Sequence, residues 1–207
     1  MRPLDGPAST GALRIEKVEG KAALERFIRV PWRLFKDDPH WVPPLLIERR
    51  GHLDPKQNPY FDHARISMWL ACRGDVTVGR ISAQIDQNYL AHHNDQTGQF
   101  GFMDAEDDPE TWKALTETAE EWLRDNGIKR VVGPFSLSIN DEAGLLVDGF
   151  DSPPFVMMGH AHRYYQPRLE EQGYRQVQDL IAYGYDPQKP LEKSVDNLLK
   201  RLMRDPE

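Results

Sequence analysis

The chain has 207 residues, 39% hydrophobic and 29% charged, which is ordinary for a globular domain and enough for a sizeable core. Its formal net charge is −7 and its cations are dispersed, so we expect no nucleic-acid partner, since phosphate backbones require clustered Lys and Arg. The single cysteine excludes an internal disulfide and a cysteine zinc site. No stretch approaches the ~20 apolar residues of a membrane span, and no apolar signal region opens the chain. We therefore expect no integral membrane segment and a cytoplasmic location.

The first third of the chain predicts one strand and one helix. Residues 1–11 are rich in Pro, Gly and Ser and are expected to be disordered. A strand is predicted at 12–18 and a helix at 21–35, which Pro31 should kink or interrupt. The following block, DDPHWVPPLL, has three prolines in six residues and should be extended.

The clearest strand pattern in the sequence is a hairpin. Residues 66–73 and 76–86 form two strand-like runs that flank a Gly74-Asp75 turn. A polar connection follows, and residues 98–103 then predict a third strand of the same sheet.

A strong helix signal begins at Asp108. This residue suits an N-cap, Pro109 suits the first helical position, and Gly127 suits the residue past the end, so the helix should cover 109–126. A strand is predicted next, at 129–139, and is strongest at its start.

The last third predicts a helix at 163–172, a strand at 174–185 and an amphipathic tail helix at 191–203. Antiparallel strands early and a β-α-β unit late imply a mixed α/β fold, with a central mixed sheet and helices on both faces. We place this domain at 12–186 and a helical tail at 187–207.

The motifs DPHWVPPL, NPYFDHA, VGRISAQID, FGFMDAEDD and GPFSLSINDEAGLLVDGF, together with this order of elements, resemble the GNAT superfamily of acyl-CoA-dependent N-acyltransferases. Specifically, they resemble a bacterial GNAT-like branch whose relatives include bacterial ceramide synthases, which N-acylate a sphingoid base. The resemblance covers about residues 12–186. It implies a V-shaped split between two parallel strands, with acetyl-CoA or a longer acyl-CoA as the substrate in that gap.

The resemblance also implies which residues touch the donor. The pantetheine arm would lie between residues 99–103 and 130–135. The implied contacts come from both strands: Phe100, Gly101, Phe102, Met103, Pro134 and Phe135.

Three features depart from the family pattern. The Gly-rich pyrophosphate turn is replaced by the acidic stretch Asp104–Pro109, which would oppose a diphosphate and which helix capping explains fully. The position of the usual general-acid tyrosine is Leu169, so Tyr164 or Tyr165, further back on the helix, becomes the candidate acid. The last sheet strand is missing. The chain is then either the first of two GNAT-like lobes, as in longer members, or a short member completed by a partner such as a second copy.

Acyl transfer to an amine requires a base, oxyanion donors and an acid for the leaving thiolate. Asn140 and Glu142 are candidates, because they lie where a strand leaves the sheet beside the small Gly144. An Asx-turn at Asn140 and a solvated Glu142 explain the same residues equally well, and for Asp141 the turn is favoured.

Histidines and one buried-looking arginine give further candidates. His160 and His162 could supply a base near neutral pH, whereas no ligand set completes a metal site around them, so no metal is expected. Arg80 lies within an otherwise apolar strand. It therefore either reaches an edge of the sheet or pairs with an acid such as Asp86 or Glu106, and a structural ion pair is favoured.

The aromatic block around Trp41, with Tyr60, Phe61 and His160, could wall a pocket for an acyl chain or a lipid-like amine. A lid that buries its own aromatic side chains is equally consistent with these residues. Two functions follow. The first is an acyl-CoA-dependent N-acyltransferase acting on a small or lipid-like amine. The second is a non-catalytic GNAT-like lobe that binds a partner.

Overall fold

A computed structural model describes residues 11–184, 186, 188–189 and 192–203. It divides into two compact units, Met1–Val177 and Gln178–Glu207. Apart from Gly11, the segment predicted to be disordered lies outside the described residues. The predicted domain limits stay a prediction.

The sheet has five strands in the order β1-β2-β3-β4-β5. The first four pair antiparallel with their neighbours, while β4 and β5 pair in parallel. The predicted mixed α/β fold is therefore confirmed. The strands are β1 Leu13–Lys17, β2 Ala64–Arg73, β3 Val76–Asp86, β4 Thr97–Ala105 and β5 Arg130–Val132.

Six α-helices and one 3₁₀ turn, Pro59–Asp62, are present in the described residues. Two of the helices, α2 and α3, were not predicted, because they are short and the sequence around them is polar or rich in proline. Helix α1 is not interrupted by Pro31, which lies within it. The helices are α1 Gly20–Leu34, α2 Leu46–His52, α3 Gln87–His93, α4 Pro109–Asp125, α5 Tyr165–Glu171 and α6 Lys193–Leu202.

Helix α4 forms as predicted and covers one face of the sheet. The Asp108 carboxylate accepts a hydrogen bond from the Thr111 N–H at 3.1 Å, which satisfies one of the free donors of the first turn. Trp112 and Leu115 are completely buried, and each such side chain contributes roughly 1.5–3 kcal/mol. Gly79 of β3 permits the close approach of α4 to the sheet, since a Cβ at this position would lie 2.9 Å from Leu115 Cδ1.

Helix α1 covers the opposite face. Its side chains Phe27, Ile28 and Val30 are buried in a cluster with Leu70 of β2 and Phe102 of β4. Helices therefore cover both faces of the sheet, as the order of elements predicted.

The predicted strand at 129–139 is wrong beyond Val132. After three residues the chain leaves the edge of the sheet and crosses its α1 face, where the carbonyl of Phe135 accepts a hydrogen bond of 2.6 Å from Gln84 Nε2. The crossing is possible because Gly101 lies beneath it, and a Cβ there would lie 1.7 Å from Phe135 O.

The predicted strand at 174–185 is also wrong over the described residues, 174–184, which form neither helix nor strand. A strand must pair its backbone and bury one face. Here Val177 is 76% exposed and Tyr183 is 83% exposed, so these apolar side chains are not buried as a paired strand would require. Within the described residues, no helix is both long enough and apolar enough to cross a membrane.

Candidate active site

A cleft of about 120 Å³ opens where α1, the segment after it and the loop 134–160 meet the outer part of β4. Seven of the predicted site residues line it: Trp41, Phe102, Met103, Pro134, Glu142, His160 and Tyr165. The sequence therefore identified residues from four separate segments that the fold brings to one place.

The floor of the cleft is a β-bulge in β4. Arg80 pairs with Asp104 and Ser82 with Gly101, so that one β3 residue faces both Phe102 and Met103. Phe102 has a φ of 45°, an unusual value for a bulky side chain. Bulges and strained backbone of this kind are common beside functional sites, because they redirect side chains and interrupt pairing.

Strand β4 also extends beyond its parallel neighbour. The pairing with β5 covers Thr97 to Gln99, and among the described residues one further backbone bond, from Phe135 N to Phe100 O at 2.7 Å, follows it. No strand of the described part of the chain lies along the remaining part of β4 on this edge, which includes the bulge. This gap corresponds in position to the split implied by the GNAT resemblance.

Three of the implied donor contacts do not line the cleft. Phe135 lies against Gly101, as described above, and Phe100 is buried with its ring centroid 5.1 Å from that of Tyr174. Only Phe102, Met103 and Pro134 of the six line the open space.

A buried arginine joins β3, β4 and α1. Arg80 Nη2 lies 2.7 Å from Asp104 Oδ2, and its Nη1 donates to the carbonyl of Phe27 at 3.0 Å. That carbonyl is available because Pro31, four residues later, has no N–H to donate to it. The guanidinium also lies 5.4 Å from the centre of the Phe102 ring, close enough for a cation–π contact. The expected ion pair of Arg80 is therefore present, but its partner is Asp104 and not Asp86 or Glu106.

The two candidate acids donate their hydroxyl protons inside the protein. Tyr165 donates to Asp104 Oδ1 at 3.1 Å, and Tyr164 donates to the carbonyl of Ala105 at 2.9 Å. Burial raises the pKa of Tyr165 well above its usual value, and the Asp104 charge raises it further. Burial likewise raises the pKa of Tyr164. Both phenols are therefore held in the protonated form.

Glu142 forms an ion pair with Arg49 of α2. The arginine side chain is only 12% exposed and the glutamate 31%, so the pair is partly shielded from water. Burial lowers the pKa of Arg49. Helix α2, which the sequence did not predict, thus brings a cation to one of the two predicted polar groups.

Asn140, the second of those groups, does not line the cleft. It is exposed, and its N–H donates to Ser138 Oγ at 3.1 Å. Asp141 accepts bonds from the N–H and the hydroxyl of Ser138 at 3.1 and 2.6 Å, and lies 3.1 Å from His52 Nε2. Burial favours a higher pKa for Asp141, but its contacts with His52 and Ser138 lower it on balance.

His160 forms a close pair with Asp38, which is 122 residues away in sequence. The distance from His160 Nε2 to Asp38 Oδ2 is 2.8 Å, and the other oxygen of Asp38 accepts the His40 N–H at 2.9 Å. Burial works against the charge of Asp38, but these two bonds lower its pKa on balance. His162, the neighbouring histidine, lies with its Nε2 3.1 Å from Leu34 O and does not line the cleft.

The predicted aromatic wall divides into two groups. Trp41 lines the cleft and stacks on Phe35, with ring centroids 5.7 Å apart. Tyr60 instead donates to the carbonyl of Leu137 at 3.0 Å and packs against Phe61, away from the cleft.

Each carboxylate of the acidic turn after β4 pairs with an arginine. Besides the Arg80 pair, Glu106 lies 2.5 Å from Arg33, Asp107 lies 2.8 Å from Arg168, and Asp108 lies 2.7 Å from Arg73. The four negative charges are therefore balanced locally. Asp108 also occupies the start of α4, as the capping explanation predicted.

A larger groove of about 390 Å³ lies between the end of α4, β5 and residues 172–177, and none of the predicted site residues lines it. Among the described residues, no group of three His, Cys, Asp or Glu side chains is arranged to hold a metal ion.

Comparison with known proteins gives relatives by sequence. The chain is 49% identical to bacterial ceramide synthase of Caulobacter vibrioides over 195 residues, which are 93% of this chain and 51% of that protein. It is 46% identical to protein YghO of Escherichia coli over 163 residues, 79% of this chain and 42% of that protein. The chain thus spans about half the length of these curated relatives. No family model matches it.

Among solved structures, the chain is similar to an aminoglycoside acetyltransferase from a soil metagenome in complex with sisomicin. The two chains are 12% identical, with a TM-score of 0.47. The match covers 86% of this chain and 97% of that one. The sequence relationships are much stronger than this one. The predicted resemblance to the GNAT-like branch related to bacterial ceramide synthases is confirmed.

Proposed function

We propose that this chain carries an N-acyltransferase site that transfers an acyl group from an acyl-CoA thioester to an amine. The observation that carries the proposal is the bulge at Phe102–Met103, on a length of β4 with no strand alongside, facing a cleft that contains ionisable groups. A bulge leaves backbone groups outside the sheet ladder, and an N–H there can stabilise the oxyanion of a thioester under attack.

The donor would lie along the open edge of β4, with its thioester at the bulge. Phe102, Met103 and Pro134 would contact the pantetheine arm. We do not expect the diphosphate at the first turn of α4, because Asp108 already accepts the Thr111 N–H there and Pro109 has none. The arginines that neutralise the acidic turn remove the repulsion that its sequence suggested.

The acceptor would be a small or lipid-like amine. The cleft is walled by apolar side chains, including Trp41, Val42, Leu146 and Met158, which suit an alkyl chain. The name of the Caulobacter relative, ceramide synthase, supports a long-chain amine of the sphingoid type. At about 120 Å³ the cleft is smaller than the roughly 300–1,000 Å³ of typical ligand sites, so it fits the reacting ends of two substrates and not their full length.

The predicted site residues have distinct roles in this proposal. Glu142, held by Arg49, would orient the acceptor amine, whereas Asn140, which does not line the cleft, takes no part in this proposal. Tyr165 would hold Asp104 and Arg80 in place beneath the bulge, with Tyr164 beside it. Either tyrosine could act as the predicted acid for the leaving thiolate only if its hydroxyl stopped donating to its present acceptor. That acceptor is the carbonyl of Ala105 for Tyr164 and the carboxylate of Asp104 for Tyr165.

The test combines binding and turnover. Thermal unfolding is measured with acetyl-CoA, palmitoyl-CoA and free CoA, and amide formation is measured with sphinganine or hydroxylamine as the acceptor. An acyl-CoA that binds the native state must raise the unfolding midpoint, and its chain length identifies the donor class. Glu142→Gln and Tyr165→Phe should each lower turnover at least about tenfold. Glu121→Gln and Tyr183→Phe, both exposed, are the matched controls. Unchanged turnover in both site variants would refute these roles.

A second function is a non-catalytic lobe that binds a partner lobe or a second copy of the chain. The exposed apolar side chains of residues 174–184 favour it, because such residues are usually covered in the functional form. The non-catalytic function would be supported over the transferase by three results together. The chain would show no turnover, none of the three ligands would shift the unfolding midpoint, and light scattering would show a dimer.

A further inference from the structure

The base that accepts the proton of the acceptor amine is not given by the fold alone. The cleft holds several ionisable side chains that could serve. An effective base needs a lone pair that is free to accept a proton and lies within reach of the amine. The hydrogen-bond partners of each side chain therefore decide between them.

The carboxylates that line the cleft are both paired with arginines. Glu142 is paired with Arg49, and Asp104 with Arg80 and the hydroxyl of Tyr165. An adjacent cation favours the deprotonated form of a carboxylate and makes it a weaker base. Tyr165 itself is protonated and donates its only proton.

His160 differs from these groups, because one of its ring nitrogens has no partner. Its side chain is 5% exposed and lines the cleft, and Nε2 faces Asp38 at 2.8 Å. Nδ1 is buried and has no hydrogen-bond partner among the residues that the structure describes. Since Asp38 is a carboxylate, it accepts the Nε2 proton, and the lone pair of the neutral ring is then on Nδ1.

The ring is also held in a fixed orientation. Phe35 packs edge-on against His160, with centroids 5.2 Å apart, and the Asp38 carboxylate is itself fixed by the N–H of His40. A base oriented by a carboxylate on its other nitrogen is a recurrent catalytic arrangement.

We propose that His160 is the general base of the acyl transfer, with Asp38 as its positioning residue; this rests on the proposed function. The amine nitrogen attacks the thioester carbonyl carbon, a C–N bond forms and the C–S bond breaks. The proton from nitrogen passes to His160 Nδ1, and the imidazolium then gives it to the leaving thiolate. The products are an amide and a free thiol, and His160 returns to its neutral form.

The test uses His160→Gln, because the glutamine amide can still donate to Asp38 at the position of Nε2 but offers no basic nitrogen. Turnover is measured on the whole chain with palmitoyl-CoA and sphinganine. We expect kcat to fall by at least about 100-fold with KM changed less than about threefold, as for loss of a general base. His162→Gln is the matched control, since His162 stacks on the same Phe35 ring but does not line the cleft.

Two further variants separate chemistry from folding. Added imidazole should raise the kcat of His160→Gly at least about tenfold. A merely structural role of His160 would show no such rescue. Asp38→Asn should lower kcat and leave KM unchanged, because it acts through His160. The other ionisable groups that line the cleft are unaltered in these variants: Arg49, Arg80, Asp104, Glu142 and Tyr165.

The outcomes distinguish the two proposals. If the unchanged chain is active and His160→Gln retains kcat within about threefold, or His162→Gln loses as much, the base assignment is overturned while the transferase stands. If the unchanged chain neither binds an acyl-CoA nor forms an amide, the proposed function fails and the base assignment fails with it.

Discussion

The carbonyl oxygen of Phe135 occupies the space where a side chain at Gly101 would begin, 1.7 Å from an ideal Cβ. This contact allows the chain to cross β4 directly after β5. It also brings Pro134, Ser136 and Glu142 to the cleft. The shape of the candidate site thus depends on a position that has no side chain.

Gly101→Ala should displace that crossing segment. Overpacking of this kind costs about 3 kcal/mol, and moving Glu142 should also lower turnover and acyl-CoA binding. The measurements are urea unfolding and the midpoint shift with palmitoyl-CoA. Gly184→Ala, where a Cβ meets nothing within 4 Å, is the control and should change stability by less than about 0.5 kcal/mol. Equal stability of the two variants would contradict the close contact.

Arg80→Met should be strongly destabilising. It leaves Asp104 buried without its cation and leaves the carbonyl of Phe27 without its donor. Removing one member of a buried pair costs about 3–5 kcal/mol, measured here by chemical unfolding. The double variant with Asp104→Asn should be less destabilised than the sum of the two single variants. Strict additivity would show that the two side chains do not interact.

Arg49→Gln should affect the site more than the overall stability. It removes the cation that faces Glu142, and we expect a KM for the acceptor raised at least about threefold. Arg50→Gln is the control, because its partner, Glu25, is exposed and lies outside the cleft. A change of equal size in both variants would indicate a general effect of α2 and not one on Glu142.

The exposed ion pairs of Glu25 should make a small, pH-dependent contribution. Its bonds to Arg50 and Arg29 lower its pKa to about 2 from 4.5. Because the folded pKa is the lower one, the stabilisation is complete above pH 4.5 and is lost as the pH falls through about 2. The difference in unfolding midpoint between the chain and Glu25→Gln should therefore be present at pH 6 and absent below pH 2, and added salt should reduce it. A difference that was as large below pH 2 as at pH 6 would contradict this prediction.

Elements with strong local signals were predictable from the sequence. The β2–β3 hairpin has a glycine turn between two strand-like runs, and α4 has a capping aspartate at one end and Gly127 past the other. Their bounds agree with the predicted ones to within about two residues. Helix α2 depends on contacts with residues that are distant in sequence, and so does the early end of β5. No local sequence pattern therefore predicts either feature.

About half of the predicted site residues line the cleft, and the pairings among them were not predicted. The residue types near Glu142 and His160 indicated a polar site, whereas their partners Arg49 and Asp38 come from a proline-rich region with no regular pattern. The bulge at Phe102 depends on how β4 aligns with β3, which apolar alternation does not specify. Arg80, a charged residue within an apolar strand, was the one sequence signal for the buried network of Arg80, Asp104 and Tyr165. Its partner Asp104 could be identified only from the folded structure.

Helix α1 contains a proline whose missing N–H leaves the carbonyl of Phe27 without a helical donor, and Arg80 is a charged side chain that must be buried. Asp104 balances the charge of this guanidinium, and one of its N–H groups is left to satisfy the carbonyl of Phe27. Across related proteins, positions 31 and 80 should covary: where the proline is replaced by a residue with an N–H, the arginine is expected to be replaced too.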